Sequence, residues 1–371
     1  MTTLLITNDF PPRIGGIEAF CLRLTRLIAD EVVVLTSRAP GWAAHDAASD
    51  LEIHRLAWPL LPTPATARRA VSLLRSRGAT RVVFGAAAPL GLLAPRLRAA
   101  GAGRILAITH GHEAGWAGVP GAETLLRRIG HDADRVSYIS EYTRAAIERV
   151  LEPADRAKLV RIAPPIDPAV FFPPEADSGR GPTCLAAGRL TRQKGFRTLL
   201  AAWPQVLAGA GALDPRLELA GDGPDAPRLR AIARRLPGVD ILGPLSPEQL
   251  AVRMRSASVF ALPVSTRRFG LHAEGLGLVF CEAAACGLPV IVGRSGGAPE
   301  TVVHAVTGYV VTPDDPDALS VRLIDLLTRP QEAVKLGRAG RDFVIGRFAP
   351  EAAAAALNDA LGLPVQGGPR A

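Results

Sequence analysis

Short apolar runs alternate with amphipathic stretches along almost the whole chain. In the first half, runs near residues 2–7, 31–36, 51–57, 81–85, 104–109, 135–139 and 159–163 read as strands. Between them, near 17–29, 66–78, 89–100, 122–132 and 141–151, the pattern reads as helix. In the first of these, Ile17, Phe20, Leu24, Leu27 and Ile28 form the apolar stripe. Residues 163–182 break the pattern with Pro164-Pro165, Pro168 and Pro173-Pro174, as a linker does. The alternation then restarts, with strands near 183–187, 216–220, 239–242, 258–262, 289–292 and 309–311. The alanine-rich stretch 350–361 reads as a last helix and 364–371 as a disordered tail.

Such alternation predicts parallel sheets with crossover helices, an α/β fold. A chain of 371 residues exceeds one typical core. The expectation is therefore two Rossmann-like domains, 1–165 and 183–349, joined by a linker at 166–182. Residues 350–371 would supply a C-terminal helix, packing back on the first domain, and the tail.

Composition adds three points. No apolar run reaches the ~18 residues that span a bilayer, and Asn8 and Asp9 interrupt the first apolar run too early for a secretory signal. Cys21, Cys184, Cys281 and Cys286 lack a Cys-x-x-Cys spacing and read as reduced core residues of a cytosolic protein. The net charge of +8 is uneven: residues 1–165 hold 21 basic and 15 acidic residues, against 22 and 20 in 166–371. From 53 to 112 there is no acidic residue at all, but nine arginines interleaved with Trp and Leu. That combination suits an anionic membrane surface, with Arg68, Arg69, Arg75 and Arg77 beside Val71, Leu73 and Leu74 as the best single segment. Aromatic content of 5% and the lack of a nucleic-acid motif argue against nucleic acid, while a merely solvated arginine-rich face remains open.

Four segments carry candidate chemistry. Glu274 and Glu282 stand eight residues apart around Gly275-Leu276-Gly277-Leu278-Val279, where an apolar helix begins. Glycines at a helix start admit a ligand to the backbone, and the free N–H groups there favour anionic oxygens. A phosphate bridging two polyols would find a hydroxyl acceptor at each end. Asn8-Asp9-Phe10-Pro11-Pro12-Arg13-Ile14-Gly15-Gly16 lies between strand and helix, the phosphate-approach geometry of open α/β sheets. Asparagine occurs only at 8 and 358, which argues against Asn8 as filler. Gly188-Arg189-Leu190-Thr191-Arg192-Gln193-Lys194-Gly195 places two cations, Arg189 and Lys194, five residues apart on a glycine loop, suited to a diphosphate. Thr109-His110-Gly111-His112-Glu113 ends a strand; it lacks an evident third metal ligand and reads as a polar strand end, with no metal expected. All four fall at carboxyl ends of strands, where such sheets bind ligands, two in each half.

Together these residues resemble the retaining GT-B glycosyltransferases that include sucrose and glycogen synthases, whose Glu-x7-Glu motif matches Glu274 and Glu282 and whose continuation matches Ser295-Gly296-Gly297-Ala298-Pro299-Glu300. The 7–17 segment, Phe84-Gly85-Ala86-Ala87-Ala88-Pro89-Leu90, the His110 segment and Tyr138-Ile139-Ser140 are most similar to the phosphatidylinositol-monomannoside mannosyltransferases. The resemblance implies a GT-B fold, two Rossmann-like domains facing across a cleft. It implies GDP-mannose as donor, a phosphatidylinositol mannoside as acceptor and work at the cytoplasmic membrane face, with no obligatory cofactor. Gly15 and Gly16 would meet the diphosphate, and Arg189 and Lys194 would neutralise it. Glu282 would hold the ribose, Glu274 the sugar hydroxyls, and the 275–279 backbone the donor. Leu245 would lie by the base and His110 by the reacting carbon, with Asp9, Arg13 and His112 toward the acceptor. The run 263–273 departs from the glycine-rich run of those mannosyltransferases, which leaves sugar and acceptor open.

At the position that faces the sugar in the family this chain resembles stands His110 and no carboxylate nucleophile, so front-face transfer with retention is favoured, the leaving diphosphate acting as base. A soluble small-molecule acceptor is the first alternative. A dinucleotide-dependent oxidoreductase is another, but Pro11-Pro12 and Gly15-Gly16 do not make its Gly-x-Gly-x-x-Gly loop. A sugar-binding protein without activity is disfavoured by the intact Arg189, Lys194, Glu274 and Glu282.

Overall fold

The structure is a computed structural model that describes residues 1–175, 181–267 and 271–364. Parts of the expected linker (176–180), of the 263–273 run (268–270) and of the tail (365–371) lie outside the described residues. The chain divides into two compact units, Met1–Pro164 with Pro350–Ala371, and Pro165–Ala349.

Unit 1 contains β1 (Thr2–Ile6), α1 (Gly16–Leu27), β2 (Glu31–Ser37), α2 (Trp42–Ala47), β3 (Glu52–Leu56), α3 (Pro64–Ser76), β4 (Ala79–Phe84), α4 (Ala94–Ala99), β5 (Arg104–Ala107), α5 (His112–Trp116), α6 (Ala122–Asp132), β6 (Arg135–Tyr138), α7 (Glu141–Glu148) and β7 (Leu159–Arg161). Unit 2 contains β8 (Thr183–Ala187), α8 (Phe196–Ala210), β9 (Arg216–Ala220), α9 (Ala226–Ala233), β10 (Val239–Gly243), α10 (Pro247–Ser256), β11 (Val259–Leu262), α11 (Leu278–Ala285), β12 (Val290–Gly293), β13 (Gly308–Val311), α12 (Pro316–Thr328) and α13 (Pro330–Arg347). The chain then returns to unit 1 as α14 (Pro350–Leu361).

Both sheets are parallel throughout, in the orders β3-β2-β1-β4-β5-β6-β7 and β10-β9-β8-β11-β12-β13. Strands buried on both faces explain the continuous apolar runs that mark them in the sequence. Alternate residues of β1 enter opposite cores, as the two-residue strand period dictates. Leu4 and Ile6 pack with Leu73 and Leu74 of α3, Leu97 of α4 and Ile129 of α6. Leu5 packs with Phe20 and Leu24 of α1 and with Leu357 and Leu361 of α14. In unit 2, Phe196 and Trp203 of α8, Phe260 of β11 and Phe280 of α11 are fully buried.

Helix α14 is fastened by polar contacts as well. Asn358 accepts from the N–H of Ala29 at 2.9 Å and donates to the Leu27 carbonyl at 2.9 Å, closing the end of α1. Arg81 and Arg104 donate to the carbonyls of Leu361 and Ala360 at 3.0 and 2.9 Å, the positive charges a helix C-terminus favours.

The structure departs from the sequence pattern in three places. The expected helix over 89–100 is a 3-10 turn, Leu90–Leu93, followed by the short α4, whose Pro95 suits a first turn. Helices α2 and α5 do not show in the pattern; at six and five residues they are too short to display a period. Leu73 and Leu74, read as neighbours of a lipid-facing arginine cluster, are core residues at 3% and 2% exposure.

Candidate functional site

In each sheet the chain reverses its winding between two strands: β1 and β4 in unit 1, β8 and β11 in unit 2. The carboxyl ends of strands at such a reversal leave a crevice, the usual ligand position in open α/β sheets. Loops leaving those strands carry most of the candidate residues in both units.

In unit 2, Lys194 follows β8 and Glu274 lies in the long loop after β11. The two meet: Lys194 Nζ donates to Glu274 Oε2 at 2.7 Å, with side chains 19% and 11% exposed. The sequence pattern gives them separate partners, and the structure couples them. Their loops are tied at several points. Ser265 N–H donates to the Gln193 carbonyl at 2.8 Å, and Gln193 Nε2 to the Ala273 carbonyl at 3.3 Å. Gly195, at φ 77°, passes so close to β11's exit that a Cβ would lie 2.1 Å from the Pro263 carbonyl oxygen. On the other side, the Glu274 carbonyl accepts from Gly297 N–H at 2.8 Å, and Gly296, at φ 53°, leaves 2.0 Å between a notional Cβ and that same oxygen. The glycine loop after β12 thus fixes the backbone of Glu274.

Gly275, Leu276 and Gly277 lead from Glu274 into α11, with Gly277 left-handed at the N-cap. The N–H groups of Leu278 and Val279 open this helix and have no partner within it. Glu282 lies further along α11, half-buried. Arg189 is exposed after β8, and its guanidinium makes no hydrogen bond or ion pair among the described residues. Leu245 is half-buried between β10 and α10.

In unit 1, β4's exit, Gly85, is packed against Thr7 and Cys21, which leave no room for a side chain. Its carbonyl oxygen accepts from His110 Nε2 and, at 3.6 Å, from the Cys21 thiol. A carbonyl only accepts, so the Nε2 of His110 bears the hydrogen. Burial holds the His110 pKa below its ordinary value, opposed by Glu113, the Gly85 bond and Asp9 and reinforced by His112. The neutral imidazole therefore presents Nδ1 as its lone-pair nitrogen. Phe20 meets this ring edge-on at 5.7 Å and His112 stacks on it at 6.3 Å.

The fully buried Glu113, to which the sequence pattern assigns no role, accepts from the backbone N–H of His110 at 2.9 Å; its other oxygen lies 3.3 Å from His112 Nε2 without hydrogen-bond geometry. Thr109 is fixed to Ser137 by bonds of 3.1 and 2.7 Å. Burial pushes the Cys21 thiol up to about 12, so it is an inert core group.

Around β1, Gly15 and Gly16 are both exposed at the start of α1. A Cβ at Gly16 would meet nothing, so the fold itself does not require glycine there. Arg13 stacks over Trp58 at 5.2 Å, Asp9 is half-buried, and His112 is exposed. Asn8 serves the fold, because its side chain pairs with both backbone groups of Leu60 at 2.7 and 2.8 Å. The four cysteines are all free and buried, and no cluster able to hold a metal occurs among the described residues.

Two parallel-sheet units, each with polar loops at its winding reversal, define a GT-B type of protein. Comparison bears this out. The model for "Glycosyl transferases group 1" matches residues 181–329, and that for "Glycosyltransferase Family 4" matches 14–170. The chain belongs to this family of glycosyltransferases and is an enzyme of that class. It is 39% identical over 381 residues to the GDP-mannose-dependent alpha-(1-6)-phosphatidylinositol monomannoside mannosyltransferase of Mycobacterium tuberculosis, covering 96% of this chain and 97% of that one. The enzyme of the same name from Mycolicibacterium smegmatis is 40% identical over 365 residues, 93% of this chain and 94% of the relative. Among solved structures, Anabaena HepE with UDP and glucose aligns with a TM-score of 0.77 at 16% identity, covering 97% and 99% of the two chains. Sucrose-phosphate synthase of Thermosynechococcus elongatus aligns at 0.76 with 24% identity, covering 95% and 96%. These structural likenesses concern the fold.

Proposed function

We propose that this enzyme transfers mannose, with retention, from GDP-mannose to a phosphatidylinositol mannoside at the cytoplasmic face of a membrane. The observation that carries the reading is the 39% identity over nearly the full length to a relative named for that donor and acceptor. The site chemistry supports it. As the bond from the sugar's anomeric carbon to the diphosphate breaks, negative charge grows on the leaving oxygens. Arg189, Lys194 and the first N–H groups of α11 would stabilise that charge without a metal. Glu274 takes sugar hydroxyls, held ready by Lys194 and by the backbone bond from Gly297. Glu282 takes the ribose and Leu245 the base side. In unit 1, Gly15 and Gly16 offer bare backbone to phosphate, neutral His110 serves the sugar, and Asp9, Arg13 and His112 serve the acceptor. The departing diphosphate collects the proton of the incoming hydroxyl.

The test is calorimetry with GDP, UDP and ADP, followed by transfer assays from the matching mannose and glucose donors onto phosphatidylinositol monomannoside and onto its deacylated, water-soluble form. Preference for GDP and product on both acceptors is expected. Preference for UDP or ADP sinks the donor assignment; transfer to small soluble acceptors alone, with none to either inositol mannoside, sinks the acceptor assignment.

A further inference from the structure

Glu113 differs from the other buried carboxylates among the described residues. Asp155, Asp225 and Glu274 each hold a basic side chain in an ion pair, with Lys158, Arg197 and Lys194 respectively. Glu113, with no exposed surface at all, makes no pair with a lysine or arginine among the described residues. A buried carboxylate is costly unless its oxygens are bonded. One of them is: Oε2 accepts from the backbone N–H of His110 at 2.9 Å. The other, Oε1, is buried and has no hydrogen-bond partner. Packing alone gives no reason to keep that oxygen.

The group next to it is His112, whose Nε2 lies 3.3 Å from Oε1. The His112 ring is bracketed. It stacks on the His110 ring at 6.3 Å with planes 15° apart, and it meets Trp116 edge-on at 6.4 Å. A small shift inside this bracket is enough to align Nε2–H with Oε1. Hydrogen bonds of a working site often lie loose in this way and tighten when a substrate seats. The side chain is 42% exposed, and its Nδ1 makes no hydrogen bond among the described residues.

We propose that Glu113 is a positioning residue for the acceptor: its Oε1 takes the Nε2–H of His112 and thereby leaves Nδ1 as a lone-pair nitrogen facing a hydroxyl of the acceptor's polyol ring. The inference rests on the acceptor reading above and names the chemistry by which His112 serves it. A carboxylate cannot donate, so its partner nitrogen must carry the hydrogen, and the second nitrogen of a neutral imidazole then only accepts. Such a nitrogen recognises a hydroxyl and offers nothing to an ionised phosphate. The hydroxyl is a neighbour of the reacting one, whose own proton goes to the departing diphosphate. Glu113 thus sets two histidines from one buried carboxylate, His110 through its backbone and His112 through its tautomer.

The decisive variant is Glu113→Gln. Its amide keeps a carbonyl oxygen for the His110 N–H and puts an NH2 where Oε1 stands, so His112 must turn its lone pair to Nε2 and its hydrogen to Nδ1. Nitrogen NMR of histidine-labelled protein, in a mildly alkaline buffer where imidazole is neutral, reads this directly, with His112→Ala identifying the signal. The expected result is hydrogen on Nε2 in wild type and on Nδ1 in Glu113→Gln. GDP affinity should be unchanged in Glu113→Gln. The KM for deacylated phosphatidylinositol monomannoside should rise about tenfold, the scale of one hydrogen bond, with the loss on KM rather than kcat. His112→Ala, a change at an exposed side chain, should raise the same KM about as much, and adding Glu113→Gln to it should change that KM by less than about twofold.

Hydrogen on Nδ1 in wild type, or the same tautomer in both proteins, overturns the proposal. So does a Glu113→Gln loss that persists in full in the His112→Ala background, because Glu113 would then act through the His110 backbone alone. A wild-type acceptor KM in Glu113→Gln overturns it as well. If the tautomers switch as expected while no inositol mannoside binds or is glycosylated, the Glu113–His112 coupling stands and the acceptor reading fails.

Discussion

The contact between Lys194 and Glu274 makes a counter-intuitive prediction: Glu274→Gln should tighten the binding of bare GDP. In the structure the ammonium is committed to Glu274 Oε2 at 2.7 Å. Unit charges at that distance attract by about 6 kcal/mol at an effective dielectric of about 20. Desolvation of two groups this buried takes back the larger part, leaving a net coupling of about 1–2 kcal/mol. A diphosphate must compete for that ammonium. With glutamine at 274 the competition is gone, and GDP affinity should rise by about tenfold, each 1.4 kcal/mol being a factor of ten. Turnover should nonetheless fall, because the sugar loses a charged hydroxyl acceptor. Lys194→Ala should do the reverse to GDP, leaving a buried carboxylate facing the phosphates, and should lower kcat about 100-fold, the usual scale for one lost contact to a developing oxyanion. In the double variant, GDP affinity should lie above that of Lys194→Ala alone. Calorimetry with GDP on the four proteins closes the cycle. Weaker GDP binding by Glu274→Gln, or affinity changes that simply add in the double variant, would refute the idea that the pair is one unit.

Three further outcomes are expected. Gly16→Ala should leave the melting temperature at or above wild type, since alanine is the better helix former by about 0.5–1 kcal/mol and a Cβ there meets nothing, yet should raise the donor KM if phosphate approaches this backbone; an unchanged KM removes the 15–16 turn from the site. Gly296→Ala should cost about 1–3 kcal/mol of stability, seen in urea unfolding, and depress turnover with it, because the new Cβ would press on the Glu274 carbonyl at a left-handed position. For His110 the folded pKa lies below the unfolded one, so its contribution to stability is complete above about pH 6.5 and is lost as pH falls through the lower, folded value. Wild type should therefore lose more melting temperature than His110→Asn between pH 7.5 and 5.5, and parallel losses would show that the buried ring does not drive the acid sensitivity in this window.

Local pattern carried the strands and most helices because parallel strands buried on both faces are continuous apolar runs, and the glycine-flanked motifs sit where those runs stop. What the pattern could not carry is distance along the chain. Lys194 and Glu274 are 80 residues apart, and only the adjacency of β8 and β11 at the winding reversal brings their loops together. Nor does local spacing show that two arginines of the expected membrane segment, Arg69 and Arg77, are engaged by His54 and Glu52 of β3. Glu113 was legible only as part of a polar strand end, because its partner is a backbone N–H, that of His110, which no side-chain spacing announces.

The return of α14 to unit 1 bears on biosynthesis. During translation, residues 1–164 emerge well before Leu357 and Leu361, which cover one side of their sheet, and the whole of unit 2 is made in the interval. The nascent first unit therefore spends that time with the α14-facing side of β5 and β7 only partly covered and with the end of α1 lacking its Asn358 clasp. An apolar face uncovered on the ribosome is a surface that chaperones bind and aggregation exploits. A fragment ending before residue 350 would carry that liability permanently, so the first unit reaches its finished state only with α14 supplied, on the same chain or as an added peptide.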